Sequence, residues 1–185
     1  MEQQLGKVVI LNGVPRSGKS SIVAAIQETF DGVWVNLGVD VSIASTPEHL
    51  RPGIGLRPGE DGHAAAPYVP LLYAALYDSV AAHSRLGVNV AVDVGHYDAE
   101  ILADGMRRLD GLPVLFVGVI CPVDVIMERR RAASERYATA AAGDPIPPPV
   151  LRWQERVHGG WTYDLELDTS QLTPQECAEA IRARF

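Results

Sequence analysis

The chain has 185 residues, a formal net charge of −7 and an apolar fraction of 47%. This length predicts a single domain over 1–185 that buries a full hydrophobic core. The acidic balance argues against nucleic acid or an anionic membrane as a partner, because both favour a basic protein face. The sequence has no signal-peptide pattern, no apolar stretch long enough to span a membrane and no metal-ligand spacing of its cysteines, so we expect a reduced, cytoplasmic protein.

The first predicted element is an apolar strand over Lys7–Asn12, which leads through a glycine-containing loop into a helix over Ser21–Gln27. The loop fits the pattern G-x-x-x-x-G-K-[ST], in the strand–loop–helix context that this pattern requires. Backbone N–H groups of such a loop form a nest for phosphate oxygens at a helix N-terminus. The predicted phosphate-binding residues are Gly13, Val14, Pro15, Arg16, Ser17, Gly18, Lys19, Ser20 and Ser21.

Two side chains of this loop carry the expected chemistry. Lys19 would reach the outer phosphates as a point charge, and the Ser20 hydroxyl would ligate Mg²⁺. The alternative is a plain turn between a strand and a helix, with Lys19 solvated. Because motif and context agree, the sequence predicts that the chain binds a nucleoside triphosphate.

Asp40 follows a second predicted strand, Val33–Leu37. A carboxylate at a strand end near the phosphate loop is placed to accept a proton from an acceptor hydroxyl. The alternative is that Asp40 caps the segment after it, as many strand-end aspartates do. The stretch Ser42–Pro70 is broken by Pro and Gly throughout and is predicted to be irregular.

A helix over about Tyr68–Arg85 and a strand over Val88–Asp93 come next. Asp93 ends an apolar run, which is the pattern of the second nucleotide-binding motif, whose carboxylate holds Mg²⁺ directly or through water. The residues that follow, His96–Asp98, either line a substrate pocket or form a turn, and the turn is the favoured interpretation.

An arginine-rich helix is predicted over Val123–Ala142, followed by a stiff linker over Gly143–Pro149 that is not helical. Its basic residues are Arg129, Arg130, Arg131 and Arg136. One interpretation is a solvated helix face with Glu128 and Glu135 as partners. The favoured interpretation is a lid over about 123–149, whose arginines close over the nucleotide and neutralise charge on the transferred phosphoryl group.

The remaining predicted elements are a helix over Ala99–Leu109, a strand over Pro113–Ile120, a helical turn over Val150–Val157, a strand over Leu165–Thr169 and a helix over Pro174–Arg184. Apolar strands that alternate with helices predict an α/β fold, with a parallel sheet covered on both faces. Ligands of such sheets bind at the carboxyl ends of the strands. The loop 13–20, Asp40, Asp93 and the segment after Cys121 all fall at that edge.

Five segments together point to a known family: Ile10–Gly13 with the loop after it, Leu37–Asp40, Leu115–Cys121, Glu128–Arg136 and Val157–Thr169. In this order they resemble the chloramphenicol 3′-O-phosphotransferase family, small P-loop kinases related in fold to shikimate and adenylate kinases. The resemblance implies a three-layer α/β/α fold of the P-loop kinase type, with a central parallel sheet and a helical lid. It also implies that ATP with Mg²⁺ is the phosphoryl donor, and that the acceptor is a hydroxyl of a small molecule.

The resemblance further implies roles for single residues. Asp40 would be the general base on the acceptor hydroxyl. The other implied roles are ATP and Mg²⁺ binding for Lys19 and Ser20, lid contacts for Arg129 and Arg136, and an approach to the adenine for Asp168 and Thr169. Lys19 and Arg136 thereby join Asp40 as predicted catalytic residues.

The sequence departs from the family pattern in ways that leave the acceptor open. The lid lacks one arginine within Ala133–Arg136, for which Arg130 or Arg131 would have to compensate, and Ser42–Pro70 does not match the segment that encloses the antibiotic. Chloramphenicol is therefore one candidate acceptor, and another metabolite such as a nucleoside or a sugar is the alternative. A nucleotide-binding accessory protein without efficient catalysis is a further alternative, and the oligomeric state is not predicted.

Overall fold

The computed structural model describes residues 4–47, 66–132 and 144–185. Its strands are β1 Val8–Asn12, β2 Trp34–Asn36, β3 Asn89–Val94, β4 Val114–Ile120 and β5 Leu165–Asp168. Its helices are α1 Lys19–Thr29, α2 Val39–Ala44, α3 Val69–Arg85, α4 Ala99–Arg108, α5 Val123–Arg131, α6 Pro148–Arg156 and α7 Pro174–Arg182, and a 3₁₀ turn, Ala66–Tyr68, leads into α3.

The strands form one parallel sheet in the order β2-β3-β1-β4-β5. The central strand β1 therefore lies between β3 and β4. Strands β2 and β3 form one half of the sheet, and β4 and β5 form the other half. In open α/β sheets a crevice forms at the carboxyl ends of the strands where the strand order reverses. Here that crevice lies at the end of β1, where the phosphate-loop motif begins.

Side chains of β1 alternate between two hydrophobic cores, as the two-residue period of a strand requires. Val8 and Ile10 pack into the core that contains side chains of α3 and α4. Val9 and Leu11 pack into the core that contains side chains of α1 and α7, among them the free, buried Cys177. Helices thus cover both faces of the sheet, and the predicted three-layer α/β/α class with a central parallel sheet is confirmed.

The prediction that Ser42–Pro70 is irregular is wrong at its beginning, because Ser42–Ala44 completes α2. The breakers that motivated the prediction start only at Pro47, so nothing in Val39–Ala44 opposes a helix. The end of the stretch is also ordered, since 66–70 forms the 3₁₀ turn and the start of α3. Residues 48–65 lie outside the described part of the chain.

The prediction that Gly143–Pro149 is not helical is wrong at Pro148 and Pro149, which form the first turn of α6. Proline is suited to that turn, because its missing N–H would have no partner inside the helix anyway. The arginine-rich helix is confirmed as α5 up to Arg131. The rest of that predicted helix, 133–142, lies outside the described residues, and so does Arg136.

Candidate active site

The phosphate loop joins β1 to α1 in a strained, tightly packed conformation. Gly18 has φ of 100° and Arg16 has φ of 74°, which is the left-handed region that favours glycine. At Gly13 a Cβ atom would lie 2.6 Å from the Val119 carbonyl oxygen and 2.8 Å from Ser17 Oγ, so no larger residue fits. The loop leads directly into α1, which begins at Lys19. The first backbone N–H groups of a helix lack partners within the helix.

Lys19 is the first residue of α1, and its ammonium group folds back over the loop. Lys19 Nζ donates hydrogen bonds of 2.9 Å to the carbonyl oxygens of Gly13 and Val14. Burial lowers the pKa of Lys19 to about 8, although the nearby carboxylates of Asp93 and Asp40 oppose that shift. The ammonium group of Lys19 is thus held against the loop backbone, within the electrostatic influence of both predicted functional carboxylates.

Ser20 and Asp93 are brought together, as the prediction that both ligate Mg²⁺ requires. The Ser20 hydroxyl donates a 2.7 Å hydrogen bond to Asp93 Oδ2. Asp93 lies opposite Leu11 in the parallel register, one residue before the end of β3, and it is buried. A Cβ atom at Gly38 would overlap the Asp93 carboxylate, so this carboxylate occupies the space that a side chain at 38 would fill.

Asp40 is the second residue of α2, and its exposed carboxylate lines the same cleft as Lys19 and Asp93. The alternative that Asp40 caps the helix is wrong, because Gly38 is the N-cap. Within 4–47, 66–132 and 144–185, the Asp40 carboxylate makes no hydrogen bond. Asp40 is therefore a carboxylate presented to the cleft and not engaged in local structure.

Arg129 and Thr169 meet on the other side of the phosphate loop. Arg129 Nη2 donates to the Thr169 carbonyl oxygen at 2.7 Å, and Arg129 Nη1 donates to Thr169 Oγ1 at 3.2 Å. Thr169 Oγ1 in turn donates to the Ser17 carbonyl oxygen at 2.6 Å. The predicted pair thus connects α5, the end of β5 and the loop, and both residues line the cleft.

Asp168, which the resemblance places near the adenine, does something different. Its Oδ1 accepts hydrogen bonds from the Ser170 backbone N–H at 2.8 Å and from Ser170 Oγ at 2.7 Å. These bonds lower the pKa of Asp168 below its usual value. The carboxylate therefore organises the turn after β5, and it is Thr169 that lines the cleft.

The remaining arginines of α5 do not reach the cleft. Arg130 is 1% exposed and lies on the buried side of the helix. The arginines of α5 therefore do not all face solvent. Arg131 is exposed and does not line the cleft either. Arg136, with its predicted lid contact, lies outside the described residues.

The cleft has a volume of about 590 Å³ and extends beyond Asp40 into a region that the sequence did not predict. Its walls there are the side chains of Val39, Tyr73, Val94 and Trp153 and the backbone of Gly95. Tyr73 and Trp153 were missed because each stands in a helix where an apolar stripe predicts a core position. No pattern in the sequence separates a core aromatic residue from one that faces a cleft.

His96–Asp98, for which the sequence favours a turn over a substrate pocket, connects β3 to α4 without regular structure. Asp98 is the N-cap of α4 and accepts hydrogen bonds from the backbone N–H groups of Glu100 and Ile101. His96 is buried, with its Nε2 2.7 Å from the Tyr77 hydroxyl oxygen. These residues do not line the cleft.

The fold is of the P-loop kinase type. Residues 6–185 match the family model described as chloramphenicol phosphotransferase-like protein, and the chain belongs to this family. It is 27% identical over 195 residues to a Mycobacterium tuberculosis protein that carries the provisional name O-phosphotransferase, a match that covers 97% of this chain and 82% of that protein.

Solved structures support the same fold. The Deinococcus radiodurans tunicamycin resistance protein is similar with a TM-score of 0.66 and 18% identity, over 97% of this chain and 95% of that one. The Mycobacterium tuberculosis APS kinase in complex with AMPPNP and APS has a TM-score of 0.59 and 17% identity, over 97% and 96% of the two chains. Shikimate kinase from Aquifex aeolicus has a TM-score of 0.60 and 16% identity, over 95% and 94%. No helix in the described part of this chain is long and apolar enough to cross a membrane.

The lowered pKa of Lys19 generates a first prediction. A bound triphosphate stabilises the charged ammonium, so ATP binding should be accompanied by uptake of up to about one proton near pH 8.5, and by none near pH 6.5. As the pH rises through about 8, the affinity for ATP should fall, because the lysine must then gain a proton on binding. Calorimetry in two buffers of different ionisation enthalpy measures this uptake.

Lys19→Arg is the matched control, because its guanidinium stays charged over this pH range and should take up no proton. Equal proton uptake by the parent protein and by Lys19→Arg would contradict the assignment of the titration to Lys19.

The packing of Gly38 against Asp93 generates a second prediction. Gly38 has an ordinary φ of −59°, so Gly38→Ala imposes no backbone strain and acts only through the overlap of its Cβ with the carboxylate. We expect the free energy of unfolding in urea to fall by about 1–3 kcal/mol, as for other overpacked sites. Gly159→Ala, whose Cβ would lie 3.3 Å or more from other atoms, is the control and should cost less. Equal stability of Gly38→Ala and the parent would show that Asp93 is not held at this position.

Proposed function

We propose that this protein transfers the γ-phosphoryl group of ATP to a hydroxyl of a small molecule in the cytoplasm. The observation that carries the proposal is the arrangement of Lys19, the Ser20–Asp93 pair and Asp40 around one cleft. The family and the kinase folds of the structural neighbours support phosphoryl transfer as the reaction class. The acceptor is a small molecule because the volume of the cleft, about 590 Å³, lies in the range of small-molecule pockets.

The phosphates of ATP would lie in the loop 13–20, at the N-terminus of α1. The helix dipole and the unpaired N–H groups at that end favour bound anions. Lys19 would then exchange the carbonyl oxygens of Gly13 and Val14 for phosphate oxygens. Arg129, which is hydrogen-bonded to Thr169, lines the same cleft as Lys19 and adds a second positive charge there.

The Ser20–Asp93 pair fits Mg²⁺. Its two oxygen atoms, Ser20 Oγ and Asp93 Oδ2, are 2.7 Å apart, and oxygen is the ligand atom that Mg²⁺ takes. Within the described residues no group of three or more His, Cys, Asp or Glu side chains could hold a metal by itself. This suits Mg²⁺, which is usually held by one or two protein groups together with waters and substrate phosphates. When bound, the ion would neutralise charge that develops on the phosphates.

Asp40 would act on the acceptor. Its carboxylate accepts the proton of the acceptor hydroxyl while the acceptor oxygen forms a bond to the γ-phosphorus, and the bond from that phosphorus to the β–γ bridging oxygen breaks to release ADP. Lys19, which lines the cleft with Asp40, would supply positive charge beside the transferred group. Most of the rate acceleration would come from positioning and from charge neutralisation.

The role of Asp40 generates a third prediction. Asp40→Asn keeps the shape of the side chain but removes its proton affinity, so turnover should fall by about 10²–10⁴-fold while the affinity for ATP stays within a few-fold. The measurement is ATP consumption over a panel of hydroxylated compounds that includes chloramphenicol, nucleosides and sugars, with calorimetry for ATP binding.

The matched control is Asp124→Asn. Asp124 is also an exposed acidic residue in second position of a helix, α5, but it does not line the cleft, so this variant should keep full activity. Full activity of Asp40→Asn would rule out the general base. A parent protein that binds ATP but phosphorylates no compound would favour the accessory-protein alternative.

The role of Asp93 generates a fourth prediction. Asp93→Asn weakens a ligand of the metal or of its water, so the Mg²⁺ concentration for half-maximal activity should rise. The affinity for ATP without metal should change little, because Asp93 contacts the hydroxyl of Ser20 and not the backbone N–H groups that would hold the phosphates. A titration of activity with Mg²⁺ tests this, and the metal role is wrong if added Mg²⁺ never restores activity to the variant.

A further inference from the structure

Tyr73 stands out among the buried and half-buried tyrosines by its hydroxyl group. The Tyr77 hydroxyl is 2.7 Å from His96 Nε2, and the Tyr163 hydroxyl is 2.9 Å from both Asn12 Nδ2 and His158 Nδ1. The Tyr73 hydroxyl makes no hydrogen bond to any residue of the described part of the chain. Tyr73 lines the cleft together with Asp40, so this hydroxyl is available to a ligand in the cleft.

The ring of Tyr73 is held rigidly, so its hydroxyl is presented in a fixed place. The ring centroid is 4.7 Å from that of the His96 imidazole. His96 is itself fixed by the Tyr77 hydroxyl and by a 2.8 Å hydrogen bond from its backbone N–H to Asn12 Oδ1. Burial lowers the pKa of His96 to about 4, so this support stays uncharged at neutral pH. Such preorganisation lowers the entropy cost of binding.

The surroundings keep Tyr73 protonated. Burial raises the pKa of its hydroxyl well above the usual value, and the neighbouring Tyr97 and Asp40 raise it further. Tyr73 and Asp40 line the same cleft, so one small molecule can contact both side chains. Tyr73 is thus a hydrogen-bond donor beside a carboxylate that accepts a proton.

Another aromatic, uncharged side chain, that of Trp153, also lines the cleft. A Cβ atom at Gly95 would lie 2.9 Å from the Trp153 ring, so the absence of a side chain at 95 lets the indole reach the cleft. Tyr97 packs edge-on against that indole with ring centroids 5.0 Å apart. A ligand between Tyr73 and Trp153 therefore has an apolar body and meets the Tyr73 hydroxyl at its polar edge.

We propose that Tyr73 is an acceptor-binding residue, which donates a hydrogen bond to a second oxygen of the acceptor, next to the hydroxyl that faces Asp40. The inference rests on the proposed function for the position of the reacting hydroxyl. It assigns the acceptor to molecules that carry two neighbouring oxygen functions on an apolar frame. It also assigns to the Tyr73 side chain the preference for such molecules over simple alcohols.

The test compares two probes that differ by one oxygen, trans-cyclohexane-1,2-diol and cyclohexanol, with the protein saturated with Mg²⁺ and the ATP analogue AMPPNP. Dissociation constants are measured by ligand-detected NMR. We expect the parent to bind the diol about three- to tenfold more tightly, which is the effect of one net hydrogen bond. Tyr73→Phe should bind both probes equally and bind cyclohexanol as the parent does.

Tyr68→Phe is the matched control. Tyr68 is the exposed N-cap of α3 and does not line the cleft, so its variant should keep the preference for the diol. Melting temperatures distinguish a loss of binding from a loss of stability. Tyr73→Phe should have the melting temperature of the parent, because the Tyr73 hydroxyl has no partner in the described part of the chain. Tyr77→Phe should have a lower melting temperature, because it loses the hydrogen bond to His96.

A diol preference that survives in Tyr73→Phe, or a parent without such a preference, overturns the inference. Because the probes are measured at equilibrium, these outcomes do not depend on turnover. Failure of the proposed function has a different signature, namely a diol preference in a protein that consumes no ATP with any compound of the acceptor panel.

Discussion

The hydrogen bond from Ser20 to Asp93 is the contact on which the site depends. It joins the first turn of α1 to the end of β3, across the central strand β1. The parallel register brings Asp93 level with Leu11, and the bare backbone of Gly38 leaves room for its carboxylate. Because each partner comes from a different element, the bond forms only when the sheet order and the loop conformation are both in place.

A second set of contacts holds the loop from the other half of the sheet. Arg129 binds Thr169, and Thr169 binds the Ser17 carbonyl oxygen, so α5 and the end of β5 are tied to the loop. The loop is thus held between β3 on one side and β5 on the other. This explains how a segment with left-handed Arg16 and Gly18 keeps one conformation, since its backbone strain is balanced by contacts at both edges.

Much of this could be predicted from the sequence, because local patterns determine it. Buried parallel strands read as unbroken apolar runs, and the phosphate-loop motif carries its own strand and helix context. Asp93 was predictable as the polar residue that ends such a run. The position of Thr169 at the cleft followed only from the family resemblance.

What could not be predicted depends on tertiary packing. Whether Arg130 faces solvent or the interior is decided by the helices around α5, and whether Asp168 faces a ligand or the next turn is decided by Ser170. Tyr73 has the helical spacing of a core residue, and only the position of α3 beside Asp40 opens its hydroxyl to the cleft. The prolines at the start of α6 do not interrupt the helix, because they lie in its first turn.

A crystal structure of the protein with AMPPNP and Mg²⁺ tests the central claim most directly, namely that the loop and the two carboxylates form one phosphoryl-transfer site. The account predicts phosphate oxygens on the backbone N–H groups of 13–20 and on Lys19 Nζ, the metal beside Ser20 and Asp93, and the Asp40 carboxylate on the open side of the γ-phosphate. A nucleotide bound elsewhere, or a γ-phosphate on the far side of the loop from Asp40, would contradict it.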